Sequence, residues 1–137
     1  MITDNYKKTQ SLGEQFAKKL IGGEVVALYG DLGGGKTTFT QGIAKGLGIK
    51  QRIISPTFVI VRSYKIKNFY HIDLYRIENK RDIEGLGIED ILKNPENIVV
   101  VEWAERLGDL LPKKRIDVSF EYLDEEKRKI TYDFRSD

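Results

Sequence analysis

The sequence contains no cysteine and only one histidine among its 137 residues. Disulfides, thiolate catalysis and thiolate metal sites are therefore excluded, and so is a metal centre built from several histidines. No apolar run approaches the ~20 residues of a transmembrane helix, and the amino terminus lacks a secretory-signal pattern. We therefore expect a cytoplasmic protein without membrane association. The chain also lacks an excess of either charge: 23 basic and 21 acidic residues leave a net +2, which does not by itself mark a nucleic-acid binder.

The composition is that of a soluble globular domain, with 40% hydrophobic and 32% charged residues, which argues against disorder. A chain of this length suffices for one hydrophobic core and is short for two. The prediction is a single domain over residues 1–137. No internal repeat or linker interrupts it.

Hydrophobic periodicity predicts alternating strands and helices in the first half and mainly strands in the second. The helices are expected around residues 12–20, with Ser11-Leu12-Gly13-Glu14 as a capping box, at 39–47, and weakly at 82–92. The strands are expected at 25–29, 58–66, 69–74, 98–101, 116–122 and 129–134, with a hairpin turn at Lys67-Asn68. This pattern predicts an α/β fold with a mixed, mostly parallel sheet, a β-hairpin and extra C-terminal strands.

A phosphate-binding loop lies between the first long strand and the second helix. Gly30-Asp31-Leu32-Gly33-Gly34-Gly35-Lys36-Thr37 fits the pattern G-x-x-x-x-G-K-[ST], in the strand-to-helix context that the P-loop requires. Glycines let backbone N–H groups surround phosphates without Cβ clashes. The lysine supplies a positive charge to the β- and γ-phosphates, and the threonine hydroxyl is a magnesium ligand. A three-layer P-loop NTPase fold that binds a nucleoside triphosphate with Mg²⁺ is therefore predicted. The expected phosphate-binding residues are Gly33, Gly34, Gly35, Lys36, Thr37 and Thr38.

Two carboxylates end predicted strands and are candidates to serve the magnesium ion. Glu102 follows the wholly apolar run of residues 98–101, whereas Asp73 ends a more polar strand that includes His71. A strand beside the P-loop strand is covered on both faces and should be apolar throughout. This favours Glu102 as the metal-side acid, although pairing of Glu102 with Arg106 and a turn role for Asp73 stay open. A lone histidine such as His71 is more often structural than catalytic.

The tetrapeptide Asn79-Lys80-Arg81-Asp82 matches the guanine-reading pattern N-K-x-D. It follows a polar stretch rather than an apolar strand, and the overlapping D-x-x-G match stands in the wrong order. We interpret it as a solvated helix start, so GTP specificity is not expected.

Taken together, four motifs resemble the TsaE family of small bacterial P-loop ATPases in tRNA threonylcarbamoyladenosine synthesis. They are residues 30–39, Ser55-Pro56-Thr57-Phe58, His71-Ile72-Asp73-Leu74-Tyr75-Arg76 and Val101-Glu102-Trp103. Their order and spacing agree with the family over about residue 11 to the C-terminal strands. One departure is Gly34, where the family usually has alanine; both residues are small.

The resemblance implies an ATPase that is weak alone and acts with TsaD-like and TsaB-like partners, and through them on tRNA. The partners install the threonylcarbamoyl group on adenosine 37 of tRNAs that read codons beginning with A. Carried over by motif, Lys36 binds phosphate, Thr37 and Glu102 hold Mg²⁺, and Asp73 supports the metal or the attacking water. Thr57 would belong to a switch-like loop that senses the γ-phosphate.

Several points stay open at the level of sequence. The resemblance places residues 6–9 and Lys127-Arg128 near the adenine, and Trp103 beside the nucleotide or facing a partner, but no motif fixes these roles. A plain core position also stays open for Trp103. Residues 113–115 and 127–129 are short basic clusters, which are more often solvated than bound to tRNA. The alternative functions are a small-molecule kinase on the same P-loop and a nucleotide-sensing module that does not hydrolyse.

Overall fold

The computed structural model describes residues 1–30, 35–51, 61–125 and 127–136. The described elements, in chain order, are β1 (Ile2–Thr3), α1 (Tyr6–Ala17), β2 (Val25–Tyr29), α2 (Lys36–Gly46), β3 (Val61–Tyr64), β4 (Phe69–Asp73), α3 (Ile88–Lys93), β5 (Ile98–Glu102), β6 (Arg115–Tyr122) and β7 (Arg128–Arg135). Short 3₁₀ segments cover Ile66–Asn68, Lys80–Asp82 and Ala104–Leu110. Within the described part of the chain, no helix has the length and hydrophobicity needed to cross a membrane.

The described strands form one sheet in the order β1-β7-β6-β2-β5-β4-β3. The four central strands β6, β2, β5 and β4 are parallel, whereas β3, β7 and β1 add antiparallel pairs at the two sides. This confirms the predicted α/β fold with a mixed sheet, a hairpin and extra C-terminal strands. Because β2, β5 and β4 are parallel neighbours, the residues at their carboxyl ends meet at one edge of the sheet.

A hydrophobic core on each face of the sheet gives the domain three layers. On one face α1 and α2 pack on the sheet, and this core includes Phe16, Val26, Phe39, Ile43, Val100 and Phe120. The opposite core joins α3 and the 3₁₀ segments to the sheet, and it includes Ile72, Ile88, Val99, Val101 and Leu107. Burial of each such apolar side chain stabilises the fold by about 1.5–3 kcal/mol. β5 lies between the two cores and is buried throughout.

Two glycines let the backbones of α1 and α2 approach closely. A Cβ placed on Gly42 would lie 2.0 Å from the carbonyl oxygen of Gln10, and one on Gly13 would lie 2.3 Å from that of Phe39. Only a hydrogen fits in either position. This close packing fixes α2 over β2 and β5, and so positions the residues at the amino end of α2.

The start of α1 differs from the sequence-based prediction. The helix begins at Tyr6, and the side chain of Asn5 caps it by accepting a hydrogen bond from the Lys8 amide at 2.9 Å. The predicted capping box of residues 11–14 was therefore wrong, because those residues lie inside the helix. The hydrophobic pattern starts late because the first buried residue of the helix is Thr9, whose hydroxyl meets that of Thr3 at 2.7 Å.

The helix and the hairpin predicted in the middle of the chain have different outcomes. Of the weak helix at 82–92, only Ile88–Lys93 is α-helical, because Gly85 and Gly87 adopt positive φ angles of 84° and 72°. The hairpin is confirmed: β3 and β4 pair antiparallel, and Lys67 and Asn68 form the turn with positive φ. The strand predicted to begin at 58 starts, among the described residues, at Val61.

Candidate active site

The predicted phosphate-binding loop of residues 30–37 is called the cradle here. The structure describes Gly30, at the end of β2, and residues 35–37, where α2 begins. Gly30 follows β2 with a φ of 144°, and Gly35 precedes α2 with a φ of 99°, two backbone conformations that favour glycine. Lys36 is the first residue of α2, is nearly buried, and its ammonium group donates a hydrogen bond to the Gly30 carbonyl. The first turn of α2 itself has no acidic residue, and the positive end of the helix dipole faces the cradle.

The predicted magnesium residues come together in front of α2. The hydroxyl of Thr37 donates to the Glu102 carboxylate, with Oγ1 lying 3.0 Å from Oε1 and 3.2 Å from Oε2. Glu102 ends β5, which pairs directly with β2, as expected from the apolar sequence of that strand. Asp73 ends β4, is 7% exposed, and is the register partner of Glu102. Its Oδ1 accepts from the backbone amide of Tyr75 at 3.0 Å.

These oxygen groups suit a hard divalent cation. Magnesium is commonly held by one or two carboxylates or hydroxyls, together with substrate phosphates and water. Thr37 and Glu102 supply such oxygens next to the cradle, and Asp73 lies on the adjoining strand. Among the described residues, no group of three or more His, Cys, Asp or Glu could hold a metal alone. The oxygen donors of Thr37 and Glu102 fit a hard divalent cation such as Mg²⁺.

The remaining predicted site residues have different positions. Thr38 is half-buried in the first turn of α2. Gly33, Gly34 and Thr57 lie outside the described residues, so their roles stay predictions.

Trp103 joins the cradle to the loop that follows β4. It has a left-handed backbone conformation (φ 59°, ψ 43°), which is strained for a bulky residue and is often kept at functional sites. Its ring centroid lies 4.3 Å from the Lys36 ammonium nitrogen and 5.4 Å from the ring centroid of Tyr75. Trp103 thus lies beside the cradle and also packs against the core on the α3 side of the sheet.

Arg106 stabilises the same loop. Its guanidinium donates to the carbonyls of Leu74, Tyr75 and Ile77, and it lies 5.0 Å from the centre of the Trp103 ring. The sequence left open a pairing of Arg106 with Glu102, and the structure does not place these two side chains in contact. The partners of the Glu102 carboxylate are instead Thr37 and His71.

Two of the residues expected near the adenine, Thr9 and Arg128, lie next to the amino end of α2. A Cβ placed on Gly35 would lie 3.5 Å from Thr9 Cγ2 and 3.7 Å from Arg128 Cγ. The guanidinium carbon of Arg128 lies 4.5 Å from the centre of the Tyr122 ring. Tyr122 is an exposed aromatic residue at the end of β6 that the sequence did not single out, because it carries no motif.

The guanine-reading match lies in an exposed turn. Lys80–Asp82 forms a 3₁₀ turn, and the Asp82 carboxylate accepts from the backbone amides of Glu78 and Asn79 at 3.1 and 3.3 Å. Asn79, Arg81 and Asp82 are exposed, as the interpretation as a solvated helix start requires, but the segment is a short 3₁₀ turn and α3 begins only at Ile88. The two basic clusters are also largely exposed, although Arg115 pairs with Asp117 at 2.8 Å.

Comparisons with known proteins agree with the fold and the motifs. A family model described as threonylcarbamoyl adenosine biosynthesis protein TsaE matches residues 3–130. The chain is 41% identical over 131 residues to the tRNA threonylcarbamoyladenosine biosynthesis protein TsaE of Rickettsia felis, covering 93% of this chain and 75% of that relative. It is 36% identical over 132 residues to the protein of the same name from Bacillus subtilis, covering 95% and 82%.

A solved structure extends the similarity to three dimensions. The crystal structure of Bacillus subtilis YdiB matches this chain with a TM-score of 0.84 at 30% identity, covering 99% of this chain and 84% of that one. The fold, the order of the motifs and the family match lead to one conclusion: the chain belongs to the TsaE family of threonylcarbamoyl adenosine biosynthesis proteins.

Proposed function

We propose that the chain is a magnesium-dependent ATP-binding and ATP-hydrolysing regulatory subunit of tRNA modification. It would act in the cytoplasm on a complex of TsaB-like and TsaD-like partners that places threonylcarbamoyl on adenosine 37 of tRNAs reading codons beginning with A. The observation that carries the proposal is the contact between Oγ1 of Thr37 and Oε1 of Glu102, which lie 3.0 Å apart next to Lys36 at the start of α2. Family membership supports the pathway.

The residues of the cradle have complementary roles in this proposal. Backbone amides of the glycine loop and of the first turn of α2 bind the phosphates, and the Lys36 ammonium moves from the Gly30 carbonyl to the phosphates. Thr37 and Glu102 hold Mg²⁺, which when bound neutralises charge on the β- and γ-phosphates. Asp73, on the strand beside Glu102, orients the attacking water or supports the metal ligands. The amide donors would come from Gly33, Gly34, Gly35 and Thr38, with Thr57 sensing the γ-phosphate.

The adenine would lie near Thr9, Arg128 and Tyr122. Thr9 and Arg128 lie close to Gly35, and Tyr122 lies against Arg128, so a nucleotide with its phosphates at α2 would extend its base toward them. Arg128 already stacks on Tyr122, and a base can stack on either an aromatic ring or a guanidinium plane. Arg128→Ala should therefore weaken ATP binding without changing its magnesium dependence.

Partners would act through the face formed by Tyr75, Arg76 and Trp103. Tyr75 is 44% exposed although its ring packs against Trp103, which in turn contacts Lys36. A protein bound here would contact Tyr75 and Trp103, and could thereby shift Lys36 and the loop after Asp73. This arrangement explains how partners would stimulate an ATPase that is weak alone.

The proposal is tested by calorimetric titration with ATP and Mg²⁺ and by measuring ADP release with and without TsaB-like and TsaD-like partners. Wild type should bind ATP, and release of ADP should rise when the partners are added. Lys36→Ala should lose most of the ATP affinity and of the partner-stimulated ADP release, because a charge-assisted hydrogen bond to phosphate contributes about 1.5–3 kcal/mol. Lys45→Ala, at an exposed position of the same helix, is the control and should behave as wild type. Unchanged binding and hydrolysis in Lys36→Ala would refute the site, and phosphate transfer to a small acceptor would favour a kinase.

A further inference from the structure

A buried histidine contacts the carboxylate that the proposed function assigns to magnesium. His71 is fully buried in β4, and its Nε2 lies 2.5 Å from Oε2 of Glu102, which is 2% exposed. On this face of the sheet His71 has the apolar core neighbours Phe69 and Val100, and its register partner on β3 is the half-buried Arg62. A carboxylate buried in such a setting needs hydrogen-bond donors, and Thr37 and His71 are the donors that reach Glu102.

The chemistry of the two groups assigns the direction of this hydrogen bond. An ionised carboxylate only accepts, so the hydrogen lies on Nε2 of His71. The other ring nitrogen, Nδ1, has no hydrogen-bond partner among the described residues. The imidazole is therefore anchored by packing on one side and directs its one hydrogen bond to Glu102.

We propose that His71 is a positioning residue for the magnesium site. Its Nε2–H group fixes Oε2 of Glu102, and this leaves Oε1, the oxygen nearer to the Thr37 hydroxyl, turned toward α2. The inference rests on the proposed function, because it assumes that Glu102 serves the metal. Outer-shell partners of this kind orient metal ligands, and their loss weakens metal affinity by about 10- to 100-fold.

Three substitutions separate this role from simple core packing. In His71→Gln, the side-chain amide nitrogen can reach the position of Nε2 and still donate to Glu102. In His71→Asn, the shorter amide reaches only the position of Nδ1, and His71→Leu fills the space with no donor. Ile72→Val is the matched control, because Ile72 is equally buried in β4 but belongs to the core on the opposite face.

The first measurement is the affinity for ADP across a magnesium series, with the thermal unfolding midpoint in EDTA recorded for each variant. His71→Leu and His71→Asn should need about 10- to 100-fold more Mg²⁺ for the same gain in ADP affinity. His71→Gln and Ile72→Val should stay close to wild type. The proposal is overturned if His71→Leu keeps the wild-type magnesium response, or if His71→Gln is as impaired as His71→Leu. If wild type itself shows no magnesium response, the proposed function fails rather than the His71–Glu102 contact.

The second measurement tests that contact without metal or nucleotide. The chain has one histidine, so a ¹⁵N spectrum of the imidazole has a single set of signals. Nε2 should carry a hydrogen in wild type, and its signals should shift in Glu102→Gln. An Nε2 without hydrogen, or signals indifferent to the substitution at Glu102, would overturn the assignment.

Discussion

The ammonium nitrogen of Lys36 lies 4.3 Å from the centre of the Trp103 ring. The same ammonium group donates to the Gly30 carbonyl, so the lysine points back along the cradle. A cation–π contact of this kind contributes about 0.5–2 kcal/mol. In the proposed function, Lys36 would exchange this contact for phosphate contacts when a nucleotide binds, so Trp103 would report on the position of Lys36.

Trp103 fluorescence should change when ATP binds. Trp103 is the single tryptophan of the chain, and removal of the nearby ammonium group alters the electrostatic field at the indole. We expect a saturable change in its emission on titration with ATP and Mg²⁺. In Lys36→Met the starting emission should differ from wild type, and nucleotide should change it little. Constant wild-type emission at ATP concentrations that calorimetry shows to be saturating would contradict the prediction.

ATP should be preferred over GTP. The only match to a guanine-reading motif is the exposed turn at residues 79–82, where the Asp82 carboxylate already accepts hydrogen bonds from its own turn. Competition against a fluorescent ATP analogue measures the preference. Equal or stronger displacement by GTP would show that another part of the chain reads guanine.

Features encoded by local sequence were predicted well. The strand before the glycine-rich loop and the helix after it depend on neighbouring residues, as does the hairpin turn at Lys67 and Asn68. Residues 31–34 of the loop itself lie outside the described residues, so its conformation stays a prediction. The choice of Glu102 as the acid beside the P-loop strand followed from burial: β5 is apolar because it lies inside the sheet.

Features that depend on register between distant strands were not predicted. The contact of His71 with Glu102 joins residues 31 apart and requires β4 to lie beside β5. Arg106 reaches the carbonyls of the loop after β4 only because both segments follow adjacent strands. Likewise, a glycine inside a helix, such as Gly42, weakens the helix prediction. A glycine is required there because the backbone of α1 packs against it, a contact that the sequence does not reveal.

Gly42→Ala should destabilise the protein. Alanine favours a helix by about 1 kcal/mol over glycine, but its Cβ would lie 2.0 Å from the backbone oxygen of Gln10. Forcing α1 and α2 apart should outweigh that preference and cost about 1–3 kcal/mol. Urea unfolding measures the change. Lys45→Ala, which removes only an exposed ion pair to Glu14 of α1 at 4.0 Å and adds no Cβ between the helices, is the control. A Gly42→Ala protein as stable as wild type would mean that the helices separate at no cost.

Tyr29 should make stability fall at alkaline pH. Burial, and then the hydrogen bond from its hydroxyl to Asp117 at 2.9 Å, raise the pKa of Tyr29 from 10.0 to about 12. Between these two values the unfolded chain loses the phenolic proton while the folded chain keeps it. The free energy of unfolding therefore falls as pH rises through this range.

The expected loss is about 1–2 kcal/mol, less than the full shift implies because Tyr29 is partly exposed. Chemical denaturation at a series of pH values measures it, and Tyr29→Phe should show a smaller loss over the same range. An identical alkaline profile for the two proteins would rule out the contribution of Tyr29. Tyr132, whose pKa is also raised by burial, should contribute equally to both.

The two strand-end acids should respond differently to loss of charge. Glu102 contacts Thr37 in the first turn of α2, whereas Oδ1 of Asp73 accepts from Tyr75 in its own loop. Glu102→Gln keeps the shape but removes the negative charge that a hard divalent cation prefers. The magnesium-dependent gain in nucleotide affinity should then fall by about 10- to 100-fold. Binding without magnesium should survive, because the backbone donors of the cradle remain.

Asp73→Asn should mainly slow turnover in the presence of partners, with a smaller effect on the magnesium dependence of binding. The reason is its position: β5 lies between β4 and β2 in the sheet, so Asp73 is one strand further than Glu102 from the cradle. ADP affinity across a magnesium series and partner-stimulated ADP release, measured for both variants, separate the two roles. Ile72→Val, on the opposite face of β4, controls for disturbance of the strand. If Asp73→Asn abolishes the magnesium dependence while Glu102→Gln leaves it intact, the roles of the two acids are reversed.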